Sequence, residues 1–325
     1  MLNRRIFVGA AAAAGFLSGQ NRPLLRLQSS EASAAFDLLG GGLVDFQIAI
    51  AKGMNPLSWE SAGGAMEPRP RGHFLCMDRW GQPSAAEEKN GMPFHGEASH
   101  VAWKQTGGAG AMEAMLPMAQ LHIERQASLQ GAVLTVRERV TNRGKLGRIY
   151  NMVQHPSIAP PFLDVDTVVD TNAGAGFAQS APGVLLPGGA KSVRSLTTNA
   201  DPNVTSFAVH ADIGWVTALT PRHKLVIGYV WESAQYPWLN LWRHVVDGKP
   251  AARGLEFGTT GLHQPFGEQV RRGRMLDKPL FVHIDTGETQ ERRYRAFLQK
   301  APDGAKGVSN VRAGLTGEIE VSFTS

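Results

Sequence analysis

One cysteine, Cys76, stands in the whole chain of 325 residues. An intrachain disulfide is therefore excluded, and the fold has to stand on its core alone. Cys76 lies in the apolar run Phe74-Leu75-Cys76-Met77, which reads as a buried, inert thiol rather than a nucleophile. Beyond the N-terminus no apolar run approaches the roughly 18 residues of a spanning helix, so stable membrane insertion is not expected. Charge is modest at 19%. The net charge of +5 and pI near 9.5 are spread along the chain. The densest runs, Arg271-Arg272-Gly273-Arg274 and Glu291-Arg292-Arg293, are short and not interleaved with aromatics, which argues against nucleic acid as a partner. The triplet Gly40-Gly41-Gly42 leads into Leu43-Val44, not Lys-Ser/Thr, so it is no phosphate-cradling loop. No Gly-x-Ser-x-Gly elbow is present. Among the histidines no metalloprotease-like or paired-cysteine spacing occurs, and the cluster His95, Glu97, His100 is a weak metal candidate. No cofactor is expected.

What is present is glycine, 37 residues, and proline, 19, with many short alternating segments between them. That composition favours an all-β protein of many turns. Residues 121–126 and 132–141 read as a hairpin about Gln130-Gly131, with Leu134, Val136, Glu138 and Val140 on one face. Residues 215–219 and 225–231 read as a second, about Pro221-Arg222-His223. Residues 279–284 and 293–298 read as a third, about Asp285 to Glu288. Residues 109–118 are the one place where a turn of helix is expected. The poorly patterned stretch 183–199 reads as a long surface loop inside one domain.

The N-terminus has its own pattern. Arg4-Arg5 precede Phe7 and a small-residue apolar run over 9–17. This resembles a twin-arginine export signal and predicts an exported, periplasmic protein. Ala32-Ser33-Ala34 offers a cleavage site. Residues 1–34 are accordingly expected to be signal and tether, with one domain over 35–325.

Three residues carry the chemistry: His95 in Pro93-Phe94-His95-Gly96, His155 in Gln154-His155-Pro156, and Glu256 in Leu255-Glu256-Phe257. Two imidazoles and a carboxylate can run general acid–base chemistry near neutral pH. On a strand Leu255 and Phe257 point away from Glu256, which then projects alone. Taken residue by residue, His95 and His155 equally suit packed histidines, and Glu256 a strand-edge ion pair with Arg253.

The order of segments resembles the galactose mutarotase-like, or aldose 1-epimerase, superfamily. The passages are Gly91-Met92-Pro93-Phe94-His95-Gly96 with the later Trp103, the strand 134–142 ending in Asn142, Asn151-Met152-Val153-Gln154-His155-Pro156, Leu255-Glu256-Phe257-Gly258-Thr259, and the closing segment 280–294 with Gly287-Glu288-Thr289. The likeness covers about residues 65–300. It implies a β-supersandwich of large antiparallel sheets with a small-molecule sugar on a concave face. It implies that Glu256 is the base and His155 the acid in ring opening, and that His95 orients the sugar; by the chemistry alone, a carboxylate and an imidazolium on opposite sides of the sugar ring suit that step. Arg71 and Arg69 are candidates for bonds to sugar hydroxyls, Trp242 for stacking on the ring, and His100 for support. Two departures stand out, the first favouring a non-catalytic reading and the second bearing on substrate. Pro156-Ser157-Ile158 replaces the Ser/Thr-Tyr-Phe that often follows the second histidine. Ser99 stands where a phosphosugar-specific branch carries arginine, which disfavours a phosphorylated substrate. The rival readings are a non-catalytic carbohydrate-binding protein, and a polysaccharide lyase or hydrolase. Hydrolysis needs a second carboxylate, for which Asp164, Asp166 and Asp170 are candidates. The choice of sugar and the oligomeric state are left open.

Overall fold

Leu134, Val136, Glu138 and Val140 turn inward from the strand Val133–Asn142 and are at most 1% exposed. The alternation legible in the sequence is thus the alternation of the fold. The computed structural model describes residues 22–61, 68–195, 203–314 and 317–325. Two large antiparallel sheets dominate, as expected of a β-supersandwich.

The first sheet has ten strands. Across it lie Leu24–Gln28, Ala32–Asp37, Leu43–Ile48, His73–Asp78, Arg148–Ile158, Lys249–Gly258, Trp238–Val246, Val204–Ala208 and Gly176–Ala178, with Val282–Ile284 paired to the start of Arg148–Ile158. The second has eight strands, in the order Val168–Thr171, Ile213–Thr220, Leu225–Glu232, Thr289–Lys300, Val133–Asn142, Leu121–Gln130, Ala111–Leu116 and Lys104–Gln105. The core fills the space between them. Leu75, Met152, Leu255 and Phe257 reach it from the first sheet, and Leu134, Val136, Ile227 and Leu298 from the second. The other face of the first sheet carries a smaller cluster of Phe74, Cys76, Trp80 and Val153. Cys76 is buried there, and burial pushes its thiol well up, in keeping with an inert side chain.

Several expectations need correction. The first hairpin turns one residue later than read, at Gly131-Ala132, because Gln130 pairs with Val133 and Gly131 takes φ +53°. The third is not a hairpin. Val282–Ile284 joins the first sheet, whereas Thr289–Lys300 runs through the middle of the second. The link between them docks on Asn142, whose N–H donates to Glu288 and whose carbonyl accepts from Gly287. Period-two patterning marks a strand but not its partner. Residues 111–116 are a strand, with Met112, Ala114 and Leu116 inward. Burial of alternate residues overrides the helix propensity of Ala, Met and Glu. Residues 24–34, expected to be part of a tether, lie in the fold instead. Leu24–Gln28 and Ala32–Asp37 pair as edge strands, and Ala32 and Ala34 are each 2% exposed. A cut at Ala32-Ser33-Ala34 would fall inside a packed strand and remove its neighbour. The signal-like residues 1–21 lie outside the described residues. In the loop expected over 183–199, Gly189–Val193 forms a short 3-10 turn that buries Ala190 and Val193; residues 196–199 lie outside the described part.

Candidate active site

The outer face of the first sheet is read off its register. Phe74 pairs with His155, Gln154 with Phe257, and Asn240 with Glu256. His155 and Glu256 therefore stand on adjacent strands, on the face away from the main core. Gly254 precedes it on that face, and a Cβ there would lie 2.7 Å from Glu256 Oε1, so a larger residue would push the carboxylate aside.

His95 arrives from a loop. It adopts φ +66° and is followed by Gly96 at +76°. Gly96 forms a parallel bridge with Met77, and a Cβ on it would meet the Met77 carbonyl at 1.9 Å. Only glycine lets the histidine loop lie that close to the sheet. Gly96→Ala is expected to destabilise the protein by about 1–3 kcal/mol or more and to displace His95. Chemical denaturation checks the first, and an unchanged unfolding midpoint would refute it. The loop is fixed from the other side by Gly81. The His95 N–H donates to the Gly81 carbonyl, and the Gly81 N–H donates to His95 Nδ1, both at 3.0 Å. Nδ1 is thus an acceptor, so a neutral His95 carries its proton on Nε2.

These side chains meet around one cavity of about 400 Å³, a size suited to a small organic ligand. His95, His155, Glu256, Trp242 and His100 all line it, with Trp59, Phe74, Trp80, Phe94 and His263. The His95 and His155 rings are 5.5 Å apart, and Phe74 stacks on His155 at 4.2 Å. His155 Nε2 lies 3.1 Å from Glu256 Oε1, and its Nδ1 lies 3.0 Å from Ser157 Oγ. The Trp80 indole N–H donates to Glu256 Oε2 at 2.6 Å. His100 Nδ1 lies 3.0 Å from the Pro68 carbonyl.

Two expectations fail here. Glu256 and His155 were expected on opposite sides of a sugar ring; they stand side by side in contact, since their strands are neighbours. Arg69 and Arg71 do not line the cavity. Arg71 pairs with Glu60 at 3.2 Å and with Asp37 at 3.5 Å, and Arg69 approaches Glu60 at 4.0 Å. Those carboxylates occupy the guanidinium groups, and only Pro70 between them reaches the cavity wall. The other candidate clusters are elsewhere. Glu97 accepts from the Met118 and Ala119 N–H groups. Asp164 accepts from Thr167, and Asp170 is paired with Arg194. No carboxylate other than Glu256 lines the cavity among the described residues.

The sequence reading missed Trp80, Phe74 and His263. His263 lies seven residues beyond Glu256 and packs against Trp80 edge-on at 4.6 Å. The proximity of Trp80-Gly81 to His95 in sequence was a usable signal; their bonds to Glu256 and His95 were not.

Burial dominates the titration of the site. It lowers His155 to about 3 and pushes Glu256 well up, although the Trp80 bond pulls Glu256 back. Each group resists charge alone, so together they hold one proton. In the same way burial lowers His73 to about 3, His263 to about 4, and His95 well below its ordinary value. The unfolded chain protonates these three imidazoles near pH 6.5, and the folded chain does not. Below that pH the unfolded state binds more protons, so folding weakens as pH falls from about 6.5 toward 4. The slope is about 1.4 kcal/mol per pH unit for each imidazole. The His155–Glu256 pair offsets part of this between pH 7.5 and 5.5, because the unfolded imidazole there takes up a proton that the folded pair already carries. Urea unfolding midpoints at pH 7.5 and 5.5 check this. Equal midpoints would show that the buried rings are protonated in the fold.

No family model and no curated protein sequence matches the chain. Solved structures do. A galactose mutarotase related enzyme from Lactobacillus acidophilus superposes with a TM-score of 0.66 at 12% identity, covering 86% of this chain and 99% of its own. A galactose mutarotase-like protein from Clostridium acetobutylicum gives 0.64 at 12% identity, covering 86% and 96%. One from Lactobacillus casei gives 0.62 at 14% identity, covering 85% and 100%. At such identities the likeness speaks for the architecture, and it spans nearly the whole of each neighbour. The chain thus has the galactose mutarotase-like fold.

Proposed function

We propose that this protein is a mutarotase that interconverts the anomers of a free sugar by general acid–base catalysis. The observation that carries the reading is the direct contact of Glu256 with His155 inside a sugar-sized cavity. Anomer exchange removes a proton from the C1 hydroxyl and delivers one to the ring oxygen. Both oxygens are bonded to C1, so the groups serving them must stand close together, as Glu256 and His155 do. The reactive form is carboxylate beside imidazolium. It contains the same single proton as carboxylic acid beside neutral imidazole, the form that burial favours. The site therefore reaches its working state by moving one proton within the pair, without exchange with solvent. As the C1–ring-oxygen bond opens, Glu256 takes the hydroxyl proton and His155 gives its proton to the ring oxygen. The aldehyde turns about its C1–C2 bond. Reclosure runs the two transfers backwards onto the other face and restores the pair.

His95 fits an orienting role, since its free Nε2–H can donate to a sugar oxygen. Trp242, Trp59 and Phe94 offer apolar faces for the ring's C–H surface. No Lys or Arg lines the cavity among the described residues, which favours an uncharged sugar over a uronic acid or phosphosugar. The names of the structural neighbours are in keeping with this chemistry.

The test is polarimetry on freshly dissolved aldoses of single anomeric form. Acceleration of the optical change by catalytic amounts of protein is expected. Calorimetric sugar binding without acceleration would select a binding protein on the same scaffold, and oligosaccharide cleavage would select a hydrolase or lyase.

A further inference from the structure

The short segment after the strand His73–Asp78 touches the site at two points. Gly81 bonds His95 through the backbone, and Trp80 bonds Glu256 through its indole. The segment itself is firmly held. Asp78 takes φ +84°, and its fully buried carboxylate accepts from Arg79 at 2.6 Å and from Arg148. Trp80 is 1% exposed and wedged edge-on against His263. Its indole is therefore fixed before any sugar arrives.

The surroundings of Glu256 make this one bond decisive. From the strand Arg148–Ile158 it faces His155, and from His73–Asp78 it faces Cys76. The loops add His95 and His263 to the same cavity. Asn240, opposite it on Trp238–Val246, is neutral. No Lys or Arg lines the cavity among the described residues. Burial therefore drives the carboxylate toward its acid form, and the Trp80 N–H opposes that drive. An indole N–H is a donor only. It can stabilise the proton acceptor but cannot exchange a proton with it.

We propose that Trp80 is a positioning residue for Glu256: its indole N–H grips Oε2, keeps Oε1 against His155, and eases transfer of the shared proton to the imidazole so that a carboxylate can face the sugar. This inference rests on the acid–base reading above. Hydrogen bonds to charged groups are among the stronger ones in proteins. Trp80→Phe keeps an aromatic plug and removes the donor. It is expected to lower kcat about ten- to a hundredfold, with KM changed by no more than about twofold, since the indole bonds the base and not the sugar. The two limbs of the pH profile of kcat/KM should together move up by about one to two units, because loss of one bond to the carboxylate is divided between the two proton losses of the coupled pair. A purely structural role would lower the rate and leave the limbs in place.

A second readout does not depend on that variant folding. Among the seven tryptophans, one indole N–H resonance in the wild type should lie far downfield and shift at the pH of the acid limb. Glu256→Gln should abolish that titration. A folded, active Trp80→Phe with unmoved limbs would overturn the inference, as would indole signals that ignore Glu256→Gln. A wild type that does not accelerate anomer exchange would instead overturn the underlying reading, while the indole titration would still decide whether Trp80 holds the carboxylate.

Discussion

Glu256→Gln is expected to slow anomer exchange by about 10²–10⁴-fold while the protein folds as before. Glutamine has the shape of glutamate. Its oxygen can accept the Trp80 N–H that now goes to Oε2 at 2.6 Å, and its amide can donate to His155 Nε2, now 3.1 Å from Oε1. The flanking Leu255 and Phe257 stay in the core. What is lost is the group that accepts the C1 hydroxyl proton. Because burial already presses the carboxyl toward its neutral form, exchanging it for a neutral amide should cost little stability. The measurement is the initial polarimetric rate together with the urea midpoint. A wild-type rate would remove Glu256 from the chemistry; a large loss of stability would make the rate uninterpretable and contradict the packing described. Replacing His155 by Asn as well should add far less than the product of the two single effects, since the pair acts through one shared proton.

The parts of this site that were legible in the sequence are those whose evidence is local. The His95-Gly96 step, His155 before a proline and Glu256 between two apolar residues stand out locally, but only the order of segments separates them from packed histidines and a strand-edge ion pair. The inward face of Val133–Asn142 was equally plain. What was hidden depends on register. Trp80 lies 176 residues from the carboxylate it bonds, and its nearness to His95 in sequence says nothing of that bond. The placing of Glu256 against His155 follows only from Gln154 pairing with Phe257. Arg69 and Arg71 looked free because Glu60 and Asp37, which hold them, stand in other segments. The segment 279–298 read as a hairpin because alternation and a turn look the same whether the second arm folds back or crosses to the facing sheet.

Arg125→Leu is expected to destabilise the fold by about 3–5 kcal/mol. Arg125 and Glu138 sit directly opposite each other across the strands Leu121–Gln130 and Val133–Asn142. Their side chains, 3% and 0% exposed, meet at 2.7 Å. Arg125 also donates to the Gly41 carbonyl and lies over the Trp103 ring at 4.5 Å. Leucine restores apolar contact with that ring, so lost packing alone costs little. The penalty comes from Glu138, whose carboxylate would remain in the core without its cation. The damage should reach the site as well. Glu138 accepts from Gln154 at 2.6 Å, Gln154 Oε1 lies 3.1 Å from His73, and Gln154 adjoins His155 on the same strand. A urea titration reads the stability change. Adding Glu138→Leu should recover much of it, because the stranded charge is then gone, although Gln154 loses an acceptor. A single variant within about 1 kcal/mol of wild type would mean that water or a rearranged donor reaches Glu138. In that case the tie between this ion pair and the position of His155 would fall with it.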